Sequence, residues 1–145
     1  ARNSDVALLF VGAMSGSPGR PWPNSVSGES FDLSDISLPG CQEALIRAVK
    51  ATGKPTIVVL VAGKPFAMPW VKDNCEAVIV QWYGGEQEGR AIAEILFGEV
   101  NPSGRLNVSF PQSTGHLPVF YNYYPSDKAT TNSPVPIQYG HLGMA

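Results

Sequence analysis

Apolar positions along the chain fall into two kinds of run that alternate. Residues 5–12 (DVALLFVG), 56–61 (TIVVLV) and 77–82 (AVIVQW) are short and almost unbroken, of strand length and rich in β-branched residues. Continuous runs of this kind suit parallel strands buried on both faces better than half-exposed ones. Between the first two, Cys41, Ala44, Leu45, Ala48 and Val49 recur at helical spacing, with Glu43, Arg47 and Lys50 on the other side. That pattern predicts an amphipathic helix opened by Pro39-Gly40 and stopped by Gly53 and Pro55. A second helix is predicted after Gly89, with Ala91, Ile92, Ile95 and Leu96 on one face and Gly98 as its stop. Residues 66–76 read as a turn or single helical turn, and residues 106–110 alternate like a short strand.

Strands and helices in this order predict an α/β domain, a three-layer αβα sandwich with a mostly parallel sheet. The alternation stops at Pro111. Beyond it four prolines and Tyr121, Tyr123 and Tyr124 describe an irregular C-terminal arm. The expected division is therefore a sandwich over residues 1–111 and the arm over 112–145. Glycine (15) and proline (13) make up about a fifth of the 145 residues, short of the ~25–30% that marks low-complexity chains. The length suits one domain with a real core, and Ala1-Arg2-Asn3 reads as a cut into a longer chain.

Composition narrows the function classes. A net charge of −2 without a basic stripe argues against a nucleic-acid partner or an anionic membrane surface, and no apolar run reaches the ~18 residues of a membrane span. Charged residues are 15% of the chain against about 25% in a typical domain. Either another domain covers part of the surface, or the surface is polar and uncharged. Cys41 and Cys75 have no metal-ligand spacing with each other or with His116 and His141, so no metal is expected. Cys41 is expected as a core thiol, and a disulfide is neither required nor excluded.

Ligands of open α/β sheets bind beyond the carboxyl ends of the strands. Those ends carry the long loop 13–38 with Glu29, the turn Gly63-Lys64-Pro65, and Trp82-Tyr83-Gly84-Gly85. Loops longer than about 15 residues inside a compact domain are commonly functional. A lone carboxylate between Gly28 and Ser30-Phe31 in such a loop suits acid–base work, and aromatics beside carboxylates suit sugar rings. A solvated loop glutamate is the plainer alternative. Gly84-Gly85-Glu86-Gln87-Glu88-Gly89 resembles a phosphate loop in spacing, but it lacks the Lys-Ser/Thr pair and its glutamates would repel phosphate. No G-x-S-x-G elbow supports a serine hydrolase. His116 reads as a loop residue. A structural module whose glycine turns merely close a sheet also fits the periodicity.

Several ordered motifs then point to one family. Leu38-Pro39-Gly40-x-Gln42-x-x-Leu45-Ile46-x-Ala48-Val49, Thr52-Gly53-Lys54-Pro55, Gly63-Lys64-Pro65, Trp82-Tyr83-Gly84-Gly85 and Leu96-Phe97-Gly98-x-x-Asn101-Pro102-Ser103-Gly104-Arg105-Leu106 lie in sequence. Together they resemble the second domain of glycoside hydrolase family 3, the β-glucosidases, β-xylosidases and relatives. The likeness runs from about Asp5 to Tyr124. It implies an αβα sandwich, here incomplete at its N-terminus, that packs on an N-terminal barrel with the active site between them. It also implies a retaining hydrolase needing no cofactor and acting on β-linked oligosaccharides or glycosides. In that family an aspartate of the barrel is the nucleophile, and a glutamate in a Ser-Gly-Glu motif of this domain is often the acid/base. Ser27-Gly28-Glu29 matches the motif, so Glu29 is the candidate catalytic residue. Phe31, Lys64 and Trp82 are the candidate substrate-binding residues.

The barrel and its aspartate motif are not in this sequence, so the chain reads as a fragment expected to be inactive alone. The general acid would need a raised pKa, which burial and the second carboxylate supply. Leu33 stands where many relatives have an arginine four residues after the glutamate. The ending Leu142-Gly143-Met144-Ala145 departs from the family's usual close. A carbohydrate-binding or purely structural module is the alternative function. Asn107-Val108-Ser109 matches a glycosylation sequon inside the predicted strand. Family habit and low charge favour a secreted or periplasmic protein.

Overall fold

A computed structural model describes residues 1–15, 26–29 and 32–119. Phe31 and residues 120–145, with Tyr121, Tyr123 and Tyr124 of the arm, lie outside the described residues. Three strands, β1 (Ala7–Gly12), β2 (Thr56–Val61) and β3 (Ala77–Val80), form a parallel sheet in that order. Phe10 pairs with Val59, and Val59 with Ile79. Helices α1 (Gln42–Lys50) and α2 (Pro69–Asn74) make the two crossovers, and α3 (Glu88–Leu96) follows β3. Pro69 opens α2, where its missing N–H costs nothing because the first turn has no acceptor for it.

Two consecutive crossovers stepping the same way along a sheet, each right-handed, place both helices on one face. On that face Val58 and Leu60 of β2 are fully buried with Ile46 of α1, Val71 of α2, Phe66 and Met68. Arg47 of α1 sets its guanidinium 4.0 Å above the Trp70 ring of α2 and ties the two helices. Side chains of the opposite parity, Val59 and Ile79, look to the other face, where Ile79 and the α3 residues Ile92 and Ile95 line one cavity. The domain is thus helices, parallel sheet, helix.

The strand-free edge of β1 corrects one expectation. Among the described residues β1 is not buried on both faces: Leu8 is 40% and Phe10 55% exposed, while Val11 is buried. As an edge strand it meets α1 on one side, while on the other Leu8 and Phe10 remain uncovered among the described residues.

The inward face of α1 is also not the expected one. Cys41 lies outside the helix and is exposed, Ala44 and Ala48 are exposed, and Leu45 is 49% exposed. Ile46 is the fully buried residue, flanked on the same helical face by Gln42 and the half-buried Val49. The buried stripe is offset by one residue from the one the periodicity predicts, because Gln42, a polar residue, faces inward to hydrogen-bond Gly12.

Residues 106–110 form no strand. Leu106 and Val108 are exposed and only Phe110 turns into the core, beside the buried Pro111. A strand needs a partner's N–H and C=O groups, and no ladder forms there among the described residues. The Asn107-Val108-Ser109 sequon therefore lies in an exposed connection rather than a strand. β3 ends two residues earlier than expected. Gln81 still donates its N–H to Leu60 O (2.9 Å), but Trp82 adopts φ +60° and breaks the extended run.

Candidate functional site at the carboxyl ends of the strands

Parallel pairing brings the ends of β1, β2 and β3 to one edge, as expected from the sequence. At that edge Gly12 closes β1 with φ +150°, and an added Cβ would lie 1.8 Å from the Val61 carbonyl oxygen. Only glycine allows the two chains to approach this closely. Gly12 N–H donates to Gln42 Oε1, and Gln42 Nε2 donates to Gly12 O, both at 2.8 Å. The side chain amide of α1 thus completes the strand on the side turned away from β2.

The next residue is held as firmly. Ala13 donates its N–H to Val61 O (3.1 Å), and its carbonyl accepts from the Tyr83 hydroxyl (2.8 Å). Tyr83 reaches Ala13 from the far strand by crossing the end of β2. A Cβ on Gly63 would lie 2.7 Å from the Tyr83 ring, so the ring rests directly over that glycine. The turn at Trp82 throws Tyr83 across the strand ends. A non-glycine residue at positive φ costs on the order of 1–3 kcal/mol, offset here by packing of Trp82 against the buried Phe110, with ring centroids 6.1 Å apart.

Beyond Ala13 the chain enters the loop that carries Glu29. Val26 returns a backbone N–H to Met14 O (3.4 Å), which ties the described part of the loop around Glu29 to the exit of β1. Gly28 has φ +74°, a conformation that favours glycine, and Glu29 N–H donates to Ser27 Oγ (3.1 Å). Ser27-Gly28-Glu29 is therefore a tight local turn that presents its glutamate. Glu29 is exposed, and its carboxylate has no hydrogen bond or ion pair among the described residues.

The far end of the loop is anchored separately. Ile36 O accepts from Ala67 N–H (2.8 Å), and Ser37 bridges to Ala67 in parallel register. Asp35 Oδ1 accepts from Ser37 N–H (2.8 Å) and from the Thr114 hydroxyl (3.2 Å), while Thr114 Oγ1 accepts from Ile36 N–H (3.2 Å). These hydrogen bonds, led by those from Ser37, hold the Asp35 carboxyl below the usual carboxylate range.

The other two candidates that the structure describes sit on the same edge. Lys64 follows β2, its ammonium 5.0 Å from the Phe66 ring centroid, and partial burial lowers its pKa below the ordinary lysine value. Trp82 is half-buried and packs on the core through Phe110. Gln42 and Tyr83 stand in the family motifs, yet pattern reasoning assigned them no role. The available signal was a polar residue opening an apolar helix, and a tyrosine followed by two glycines at a strand end.

Other chemistries find no support here. Gly84 N–H, which a phosphate loop would offer to its ligand, donates to Glu88 Oε2 at 2.8 Å. His116 lies in the short turn Thr114–His116, where its Nδ1 accepts from Gln112 N–H (3.2 Å). Among the described residues no group of three His, Cys, Asp or Glu is placed to hold a metal ion, and no helix is long and apolar enough to cross a membrane.

A family model described as the glycosyl hydrolase family 3 C-terminal domain matches residues 1–142. The chain belongs to that family. It is 40% identical over 121 residues to a β-xylosidase of Formosa agariphila, covering 83% of this chain and 16% of that protein. It is 38% identical over 123 residues to a periplasmic β-glucosidase of Salmonella typhimurium, covering 85% of this chain and 15% of that one. Among solved structures, the β-glucosidase of Listeria innocua in complex with isofagomine superposes with a TM-score of 0.77 at 30% identity. That match covers 99% of this chain and 20% of the Listeria chain, and the same enzyme has been solved with glucose and, as a mutant, with laminaribiose. The family 3 domain described here thus spans only about a sixth to a fifth of the relatives it matches.

Proposed function

We propose that this family 3 domain forms part of a retaining β-glycosidase acting on β-glucosides or β-xylosides, and that Glu29 is its general acid/base. The observation that carries this reading is the Ser27-Gly28-Glu29 turn. It displays a carboxylate that is exposed and without a hydrogen bond or ion pair among the described residues, on a loop tied to the carboxyl ends of the strands, in a chain whose relatives are β-glucosidases and a β-xylosidase. The nucleophile is an aspartate of a barrel domain docked over this edge, within the ~5–5.5 Å that retention requires. That aspartate attacks the anomeric carbon as Glu29 gives its proton to the departing oxygen and the glycosidic C–O bond breaks. In the second step water attacks the same carbon, Glu29 takes its proton, and the aspartate is released. No cofactor is needed.

Docking of the barrel would also bury Glu29 beside a second carboxylate, both of which favour the protonated acid. Phe31, Lys64 and Trp82 would line the substrate on this side. Lys64→Ala is expected to raise KM with little change in kcat. The 145-residue chain without a barrel is expected to turn over little or no aryl β-glucoside, as is its Glu29→Ala variant. Turnover by the chain that vanishes in Glu29→Ala would mean that it carries its own nucleophile and would sink the two-domain account. The exposure of Glu29 also fits a second reading, a carbohydrate-binding or structural module. Full activity of the complete enzyme after Glu29→Gln, with sugar binding retained, would favour that one.

A further inference from the structure

We propose that Tyr83 is a positioning residue for the Glu29 loop, an inference that rests on the acid/base role proposed for Glu29. Four backbone polar groups lie at the exit of β1, and each has its partner. Gly12 N–H and C=O go to Gln42, Ala13 N–H to Val61, and Ala13 C=O to Tyr83. The first three bind the exit to β2 and α1, which are also its neighbours in the core. Tyr83 alone brings in the third strand, 70 residues away in sequence.

Its placement is costly to arrange and has no purpose in the core. Tyr83 is 47% exposed, so burial of its ring does not explain it. Its direction depends on the positive φ of Trp82, and its ring has room only because position 63 is glycine. Two separate backbone accommodations therefore converge on one hydroxyl–carbonyl bond. That bond fixes the carbonyl from which the loop departs. Met14, the next residue, accepts from the N–H of Val26 (3.4 Å), which adjoins the Ser27-Gly28-Glu29 turn. A shift of the Ala13 carbonyl reaches Glu29 through the Met14–Val26 hydrogen bond, and a misplacement of about 1 Å at a reacting group can cost about 100-fold in rate.

The test uses the complete enzyme and compares kcat/KM for phenyl β-glucoside, which needs a proton on its leaving oxygen, with dinitrophenyl β-glucoside, which does not. Tyr83→Phe keeps the ring and removes the hydroxyl. It is expected to lower kcat/KM on the phenyl substrate about tenfold and on the dinitrophenyl substrate by less than about twofold. Added to Glu29→Gln, which shows the same selectivity more strongly, it is expected to cause no further loss on the phenyl substrate. Equal loss on both substrates, or none, from Tyr83→Phe alongside a selective Glu29→Gln would overturn the positioning role and leave the acid role standing. A Glu29→Gln variant without selectivity would overturn the acid role and this inference with it. Should Tyr83→Phe fail to fold by circular dichroism, Gly63→Ala takes its place, since the added methyl displaces the ring. The same selectivity is expected there, and equal loss on both substrates overturns the proposal.

Discussion

Gln42 and Gly12 exchange two hydrogen bonds of 2.8 Å, side-chain amide against backbone amide, across 30 residues of sequence. The pair completes the backbone of β1 at the point where the chain leaves the sheet, and it sets the docking angle of α1. Gln42→Ala leaves both Gly12 groups without their partner in a half-buried position. The expected loss is about 1–3 kcal/mol, read from urea unfolding. Gln42→Glu replaces the donor to Gly12 O with a second acceptor and is expected to cost more than Gln42→Ala. A Gln42→Ala variant as stable as the parent would show that water replaces the amide without cost.

Gly12 itself admits no side chain. With a Cβ 1.8 Å from Val61 O, Gly12→Ala must push β1 and β2 apart at their carboxyl ends. The substitution is expected to remove more than about 3 kcal/mol, appearing as lost soluble yield or a sharply lower thermal midpoint. A near-normal midpoint would mean that the strand exit relaxes far more readily than its hydrogen bonding suggests.

The face that α1 presents to the core can be tested by a pair of neighbours. Ile46 is fully buried, so Ile46→Ala is expected to cost about 2–4 kcal/mol. Leu45 is half exposed in this chain, and Leu45→Ser is expected to change stability by about 0.5 kcal/mol or less. Equal costs from denaturant titrations of the two variants would return Leu45 to the buried stripe that periodicity alone predicts.

At the opposite edge of the sheet Glu76 accepts from Lys50 Nζ and from Thr56 N–H (2.7 Å), and these bonds, the Lys50 one foremost, hold its pKa below the ordinary value of 4.5. A carboxylate with a depressed folded pKa adds stability that is fully present above its unfolded pKa and is lost as pH falls through the folded one. Stability should therefore decline below about pH 4.5 more steeply in the parent than in Glu76→Gln. Thermal midpoints collected from pH 3 to pH 7 would show it, and identical acid limbs would remove Glu76 from the account.

The two thiols should separate by rate. Cys41 is exposed, whereas Cys75 is half-buried and burial pushes its thiol pKa up. A thiol reagent is expected to modify Cys41 first, and Cys41→Ser should leave only the slow phase. A fast phase that survives in Cys41→Ser would place Cys75 at the surface.

The chain by itself determined what depends on neighbours in sequence. Unbroken β-branched runs are read locally, and residues 56–61 appear as β2 with the expected bounds. Gly53 and Gly98 stop helices where expected, both at φ +78°. Motif order was enough to name the family, and the Ser27-Gly28-Glu29 turn that marks the candidate acid is equally local. Tertiary structure decided what depends on a partner far along the chain. Cys41 and Leu45 match the helical period as well as Ile46 does, and a polar side chain's bond to Gly12 selected the face. The pattern at residues 106–110 is as strand-like as many real strands, but no neighbouring ladder receives it. Tyr83 and Gln42 acquire their roles only from carbonyls 70 and 30 residues away. Periodicity records which residues prefer burial. The hydrogen bonds that set register and direction join groups whose separation in sequence carries no pattern.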